Sequence, residues 1–334
     1  MPDGLAHLGG CLATGLADVT DDPSALDSSG WWAVAATFEG AYTCARFDTV
    51  TSAPRPPAAW APVPRTAWRS SIDRAAYVEA VERVRREIAA GEVYQVNVCR
   101  VLEAPLPPGA DLAGLAALLE RGNPSRYGGL LRLLGQDLQV ASASPELFLR
   151  RDGDLVQSSP IKGTGRTEAD LLPKDTAENV MIVDLVRNDL GRVAVPGSVD
   201  VPRLCEVEQH PGLVHLVSTV EARLRPDVGW AGLLAATFPP GSVSGAPKSS
   251  ALRLIGDLEP GPRGIYCGAL GWVDADRRVG TLAVGIRTFT GQDGILRFGT
   301  GAGITWGSDP EREWDETELK AARLLAVAAG EVGA

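Results

Sequence analysis

The sequence predicts an α+β fold, and two observations carry that expectation. Segments rich in β-formers follow one another in antiparallel-looking runs separated by Gly or Asp turns. Helical stretches do not alternate strictly with them, which disfavours a doubly wound parallel sheet. No internal repeat or low-complexity block breaks this pattern.

Taken in order, residues 31–47 mix aromatics and β-formers around Glu39-Gly40 and read as a hairpin. Residues 52–65 carry five prolines and read as a linker or an extended wrap. From Ser71 to Ala90, Tyr77, Val81, Val84 and Ile88 recur at helical spacing, with Ser71 as N-cap and Gly91 as stop. Strands are expected over 93–104, 128–134, 138–143 and 146–150. A second helix is expected from Asp175 to Leu190, between Pro173 and Gly191. Strands follow at 198–208 and 213–223, helices at 228–237 and 246–258, strands at 266–273, 279–289 and 295–302, and a last helix from Pro310 to Ala329.

Composition narrows the function classes. With 334 residues and 45% hydrophobic content the chain has ample material for a core. Five scattered cysteines without a CxxC spacing indicate neither a disulfide framework nor a zinc site. The N-terminal residues show no basic-then-apolar leader pattern, and no run of about 18 apolar residues occurs. A soluble, cytoplasmic protein is expected. A net charge of −10 without a basic stripe makes nucleic acid an improbable ligand. An anionic small molecule would need a local inversion of charge, from a metal or a few Lys and Arg.

Several constellations carry chemistry. Lys162 lies in Ser159-Pro160-Ile161-Lys162-Gly163-Thr164, twelve residues before the acidic start of a helix. Asp175 and Glu178 share one side of that helix, and Glu313 and Glu316 repeat the i, i+3 spacing in the last one, with Lys320 a turn further on. Either pair alone reads as a solvated face or a complement to the helix dipole. Together they offer oxygen ligands to Mg²⁺. In Phe238–Lys248, Ala246-Pro247 stands where a P-loop needs glycine before lysine, which disfavours phosphate binding. Residues 299–304 (GTGAGI) read as an anion-binding loop or as a tight turn. His215, in an apolar strand, reads as a core residue or a functional one. Arg287, on an apolar stretch, needs an anionic partner, either a substrate carboxylate or a structural aspartate.

The ordered motifs GEVYQVNVCR (91–100), SPELFLR (144–150), PIKGT (160–164), KDTAENVMIVDLVRNDLGRV (174–193), HLVSTV (215–220), PPGSVSGAPK (239–248), RGIYCGALG (263–271), IRT (286–288), GAGI (301–304) and SDPEREWDETELKA (308–321) resemble the chorismate-utilising enzymes over about residues 70–328. The resemblance implies a large α/β sandwich of two packed antiparallel sheets with outer helices, holding chorismate and Mg²⁺ in a central cleft. It implies Glu178 and Glu316 as direct metal ligands, with Asp175 and Glu313 acting through water. Arg287, Tyr266, Lys320 and the amides around Gly301 and Gly303 match positions that hold the substrate carboxylates. Thr164 matches the ring side, His215 the surroundings of the departing hydroxyl, and Glu146 the general acid, a role that calls for a raised pKa.

Within the family, hydrating members place a basic lysine where this chain has Gln95, so isochorismate and salicylate formation are disfavoured. Lys162 in PIKGT and Asn179 after Glu178 resemble the aminodeoxychorismate-forming branch, where anthranilate-forming members usually carry alanine and histidine. The expected activity is amination of chorismate to 4-amino-4-deoxychorismate through a covalent adduct on Lys162, toward 4-aminobenzoate and folate or a related natural product. No cysteine nucleophile elbow with a matching histidine is evident, so ammonia is expected from a separate glutamine amidotransferase subunit. Anthranilate synthesis and a catalytically silent chorismate-binding subunit are the alternatives.

The chain departs from the family pattern in three places. Residues 1–69 read as a shortened N-terminal segment packing on the sandwich, ahead of a catalytic domain at 70–330, and no tryptophan-feedback motif is apparent. Gly165-Arg166 follows PIKGT where arginine usually comes directly. Pro240 replaces a common glycine.

Overall fold

The computed structural model describes residues 3–165, 167–210 and 213–331; Arg166, noted above in the sequence, lies outside the described residues. Strands β1 (Gly4–Leu8), β2 (Cys11–Thr20), β3 (Trp31–Ala36), β4 (Tyr42–Thr51) and β5 (Arg69–Ser70) precede helix α1 (Arg74–Ala89). Next come β6 (Gln95–Pro105), α2 (Leu112–Gly122), β7 (Gly129–Leu133), β8 (Leu138–Ser142), β9 (Leu147–Asp152), β10 (Leu155–Ser159) and β11 (Ile161–Gly165). They are followed by α3 (Pro173–Gly191), β12 (Asp200–His210), β13 (Leu213–Arg223), α4 (Trp230–Thr237), β14 (Gly245–Ala246) and α5 (Lys248–Leu258). Finally, β15 (Ala269–Asp274), β16 (Val279–Val284), β17 (Thr288–Gln292) and β18 (Ile295–Ile304) lead into α6 (Pro310–Ala328).

All these strand pairings are antiparallel, and they form one ribbon in the order β12, β13, β10, β9, β16, β15, β3, β4, β2, β1, β7, β8, β17, β18, β6. β11 continues β10 along β13, while β5 and β14 border β6. The ribbon folds over into two packed layers, giving the α+β sandwich with outer helices that the family resemblance implies.

Strand periodicity builds three cores. In β3, Trp31, Ala33 and Ala35 join Leu131, Leu133 and Val140 in a core between the layers. The alternate residues Trp32, Val34 and Ala36 join the core beneath α1, α3, α4 and α5. Leu130 and Ala141 point the other way, toward α2 and α6. A period of two thus feeds two faces from a single strand.

The structure refines several elements. Asp73, not Ser71, caps α1, accepting from the Ala76 amide at 2.9 Å, whereas the Ser71 hydroxyl accepts from the Val101 amide. The strand expected over 279–289 is broken into β16 and β17, with Arg287 between them at φ 51°. Here the backbone turns inward: a Cβ on Gly285 would lie 2.0 Å from the Ile265 carbonyl. Residues 299–304 are neither loop nor turn but the end of β18, paired with β6. Strands β1, β2, β10 and β11 and helix α2 were not expected. The proline-rich stretch does wrap, with Trp60 Nε1 and the Val63 amide both donating to the Ala328 carbonyl, at 2.7 and 3.0 Å.

Candidate active site

Three elements frame a cleft: β11 with Lys162, the start of α3, and α6 beside the end of β18. Pro173 opens α3, and Asp175 closes its first turn by accepting the Leu172 amide at 2.8 Å. A Cβ on Gly163 would lie 2.8 Å from the Asp175 side chain, so the helix start is pressed against the strand residue after Lys162. Asp309 caps α6 by accepting the Arg312 amide at 3.0 Å. Arg100 of β6 anchors the same helix. It is buried, donates to Thr317 Oγ1 at 2.9 Å, pairs with Glu318 and stacks 4.2 Å from the Trp314 ring.

The floor of the cleft is made by absent side chains. Gly299, Gly301 and Gly303 lie on one face of β18, and a Cβ on each would meet the Tyr266 ring at 1.9 Å, Cys99 Sγ at 2.7 Å and Gln95 Nε2 at 2.2 Å, respectively. The last would also stand 3.6 Å from Lys162 Nζ. The glycines therefore let Tyr266, Gln95 and Lys162 approach the strand backbone. β17 pairs with β18 only as far as Phe298, so the opposite edge from β6 carries no β17 partner beyond that point. Gln95 is 1% exposed, and its Oε1 has no hydrogen-bond partner among the described residues.

Lys162 Nζ donates to the Ser242 carbonyl at 3.1 Å. Burial lowers its pKa, opposed by the charges of Glu178 and Glu146 and assisted by Lys320. Glu146 is 4% exposed, and burial pushes its carboxyl up to about 7 against the pull of Ser242, Lys162 and Arg287. The Arg287 side chain makes no hydrogen bond or ion pair with the described residues; burial lowers its pKa, opposed by the charge of Glu146. No structural aspartate answers it. Burial holds the Tyr266 phenol well above the ordinary range, helped by Cys267 and Cys99.

The two acidic pairs feel one another. Burial raises Glu178, helped by Asp175 and Glu316, and burial raises Glu313, helped by Glu316. Burial also acts to raise Glu316, but Lys320, with Lys174 and Lys162, outweighs it and leaves that carboxyl low. Lys320 Nζ sits 2.6 Å from Glu316 and donates to the Gly301 carbonyl at 3.1 Å. Among the described residues no three carboxylates, imidazoles or thiols stand close enough to enclose a metal as they are. Still, the donors are all hard oxygens, and two of them are raised by burial with help from neighbouring carboxylates. That chemistry fits Mg²⁺.

His215 is 2% exposed on β13, in register opposite Thr164 of β11 and Glu208 of β12. The Thr164 side chain lies outside the described part of the structure. Asn179 does not enter the cleft: it ties α3 to β13, donating to the Leu216 carbonyl at 3.1 Å and accepting from Ser218. The sequence reading assigned nothing to Ser242 or Arg263. Both lie in motifs already noted, but the contact of Ser242 with Lys162 is made by its backbone carbonyl, which leaves no mark on residue type, while its side chain bonds Glu146.

Residues 26–326 match the family model described as chorismate binding enzyme. The match starts well before residue 70, taking in the β3–β4 hairpin. Aminodeoxychorismate synthase component 1 of Salmonella typhimurium is 40% identical over 272 residues, covering 78% of this chain and 59% of the relative. Anthranilate synthase component 1 of Streptomyces coelicolor is 41% identical over 280 residues, covering 80% of this chain and 54% of the relative. The chain thus spans just over half the length of these two relatives. The crystal structure of anthranilate synthase component I from Streptococcus pneumoniae TIGR4 superposes with a TM-score of 0.78 at 24% identity, covering 96% of this chain and 89% of that one. Among the described residues no helix is long and apolar enough to cross a membrane.

Proposed function

Since the chain belongs to the chorismate binding enzyme family, we propose that it aminates chorismate to 4-amino-4-deoxychorismate, with ammonia delivered by a separate glutamine amidotransferase subunit. Identity does not separate this from anthranilate synthesis, because the two relatives stand at 40% and 41%. The observation that carries the choice is Lys162: a half-buried amine of lowered pKa, beside the glycine floor and within the field of Glu146.

In this reading the neutral Lys162 amine attacks C2 of chorismate, both conjugated ring double bonds shift, and the C4–O bond breaks. Glu146 gives its proton to the departing hydroxyl, which leaves as water. Ammonia then attacks C4, the C2–N bond breaks, and Lys162 is released as an amine, so C4 is substituted with retention. Arg287, Tyr266, Lys320 and the amides of Gly301 and Gly303 hold the substrate carboxylates. Gln95 lines the floor and cannot serve as a base, while His215 and Thr164 border the ring and the leaving hydroxyl. Glu178, Glu316, Asp175 and Glu313 would hold Mg²⁺, whose charge would neutralise a substrate carboxylate and assist departure at C4.

Lys162→Ala tests this directly. Chorismate binding, followed by calorimetry, should stay within a few-fold, while ammonium-dependent amination falls on the order of a thousandfold or more. An unchanged amination rate with intact binding would remove the covalent mechanism.

A further inference from the structure

A recess that the proposed reaction does not use lies behind the loop carrying Ser242. It measures about 660 Å³ and opens between the β3–β4 turn, α4 and α5. That volume suits a small organic molecule. Phe38, Tyr42 and Phe238 give it aromatic walls, the last two with ring centroids 5.8 Å apart.

Its charge is one-sided. Among the described residues Arg263 is the only basic residue lining it, and four of its five guanidinium N–H groups are already donated. Nε and Nη2 donate to Glu259 at 2.8 and 2.6 Å, Nη1 to the Val243 carbonyl at 2.8 Å, and Nη2 also to the Asn97 carbonyl at 2.7 Å. One face of the guanidinium lies 4.2 Å from the Phe38 ring. Glu39, on the exposed rim, accepts the Arg263 backbone amide at 2.7 Å and has no cationic partner among the described residues. Aromatic faces beside an uncompensated carboxylate attract an organic cation.

We infer that this recess binds a small aromatic amine in its protonated form, and that occupancy reaches the reaction cleft through the Arg263–Glu259 pair. The route is short. Arg263 holds the carbonyl of Val243, the neighbour of Ser242, whose own carbonyl accepts from Lys162. It also holds Asn97, two residues along β6 from Gln95, and Glu259 accepts the Cys99 amide at 2.9 Å. A molecule seated against Phe38 and Glu259 therefore bears on the backbone that sets both Lys162 and Gln95. The consequence for catalysis rests on the reaction proposed above; the binding and its transmission do not.

The test uses phenethylamine as probe, with phenylacetate as its charge-reversed counterpart. NMR titration of the full chain should show saturable binding of phenethylamine and none of phenylacetate at equal concentration. Glu39→Gln should weaken binding roughly fivefold, the scale of one exposed ion pair. Ala235→Trp, which puts an indole into the recess from an exposed position of α4, should abolish it. Tyr42→Ala is a second variant that leaves the recess open but removes a wall, and it too should weaken binding. Saturating phenethylamine should slow amide hydrogen exchange over residues 96–99 and 241–246 in the wild type and leave it unchanged in Ala235→Trp. Equal binding of phenylacetate, or wild-type affinity in a folded Ala235→Trp protein, overturns the site. Saturable binding without any change in exchange overturns the coupling. Neither readout needs turnover, so a failure of the proposed amination would be seen separately.

Discussion

Glu146 and Lys162 illustrate how burial does chemical work at the level of single residues. A carboxyl pushed up to about 7 keeps its proton where an ordinary one has lost it, and an amine lowered by the same burial loses its proton sooner. Amination needs the first protonated and the second neutral. The rate should therefore rise with pH toward the lowered amine value and fall as Glu146 ionises above about 7. Glu146→Gln should slow the reaction roughly 10²- to 10⁴-fold and erase the falling limb. The same shift has a stability counterpart: because the folded value lies above the ordinary 4.5, the contribution is full below that pH and lost as pH rises through about 7. The Gln variant should thus gain thermal stability over wild type at pH 8 and not at pH 4, read by calorimetry. Most site residues were legible as types in motifs. The contact between Ser242 and Lys162 was not, since a carbonyl belongs to every residue.

At the scale of elements, the helices carry the acidic pairs and the strands hold the helices. Arg100 is the main tie between β6 and α6, with its side chain 2% exposed against Thr317, Glu318 and Trp314. Truncating it to Ala removes hydrogen bonds and a cation–π contact together. Urea unfolding should show a loss of roughly 3 kcal/mol, and Arg100→Lys should recover little of it, because an ammonium lacks the planar fork. A loss below about 0.5 kcal/mol would mean that the contacts are idle. Helical spacing of apolar residues made α1 readable, and aromatics and β-formers around Glu39-Gly40 made the β3–β4 hairpin readable. Helix α2 escaped notice although Leu112, Leu115, Ala116 and Leu119 keep helical spacing, because Gly114 and the preceding Pro-Pro-Gly speak for a loop. β11 escaped because three of its five residues are Gly or Thr and its partner β13 lies some 50 residues away, a distance at which local pattern says nothing about pairing.

For the molecule as a whole, the packing that closes the sandwich is long-range. The proline-rich wrap lies on α2 so closely that a Cβ on Gly114 would meet the Ala59 and Trp60 backbone at 2.6 Å. Gly114→Ala should lift the wrap, exposing residues 52–64 to limited proteolysis while far-UV circular dichroism stays near wild type; a protected wrap would contradict this packing. The continuous antiparallel ribbon brings β11, β18, α3 and α6 to one cleft from widely spaced parts of the chain, and the family match over residues 26–326 places this arrangement among chorismate binding enzymes. What the cleft makes is decided most directly by incubating the purified protein with chorismate, Mg²⁺ and ammonium at mildly alkaline pH and identifying the product by chromatography and mass spectrometry. 4-Amino-4-deoxychorismate, convertible to 4-aminobenzoate by an added lyase, is the expected product; anthranilate, or bound chorismate left unchanged, would contradict the assignment of Lys162 as nucleophile for amination at C4.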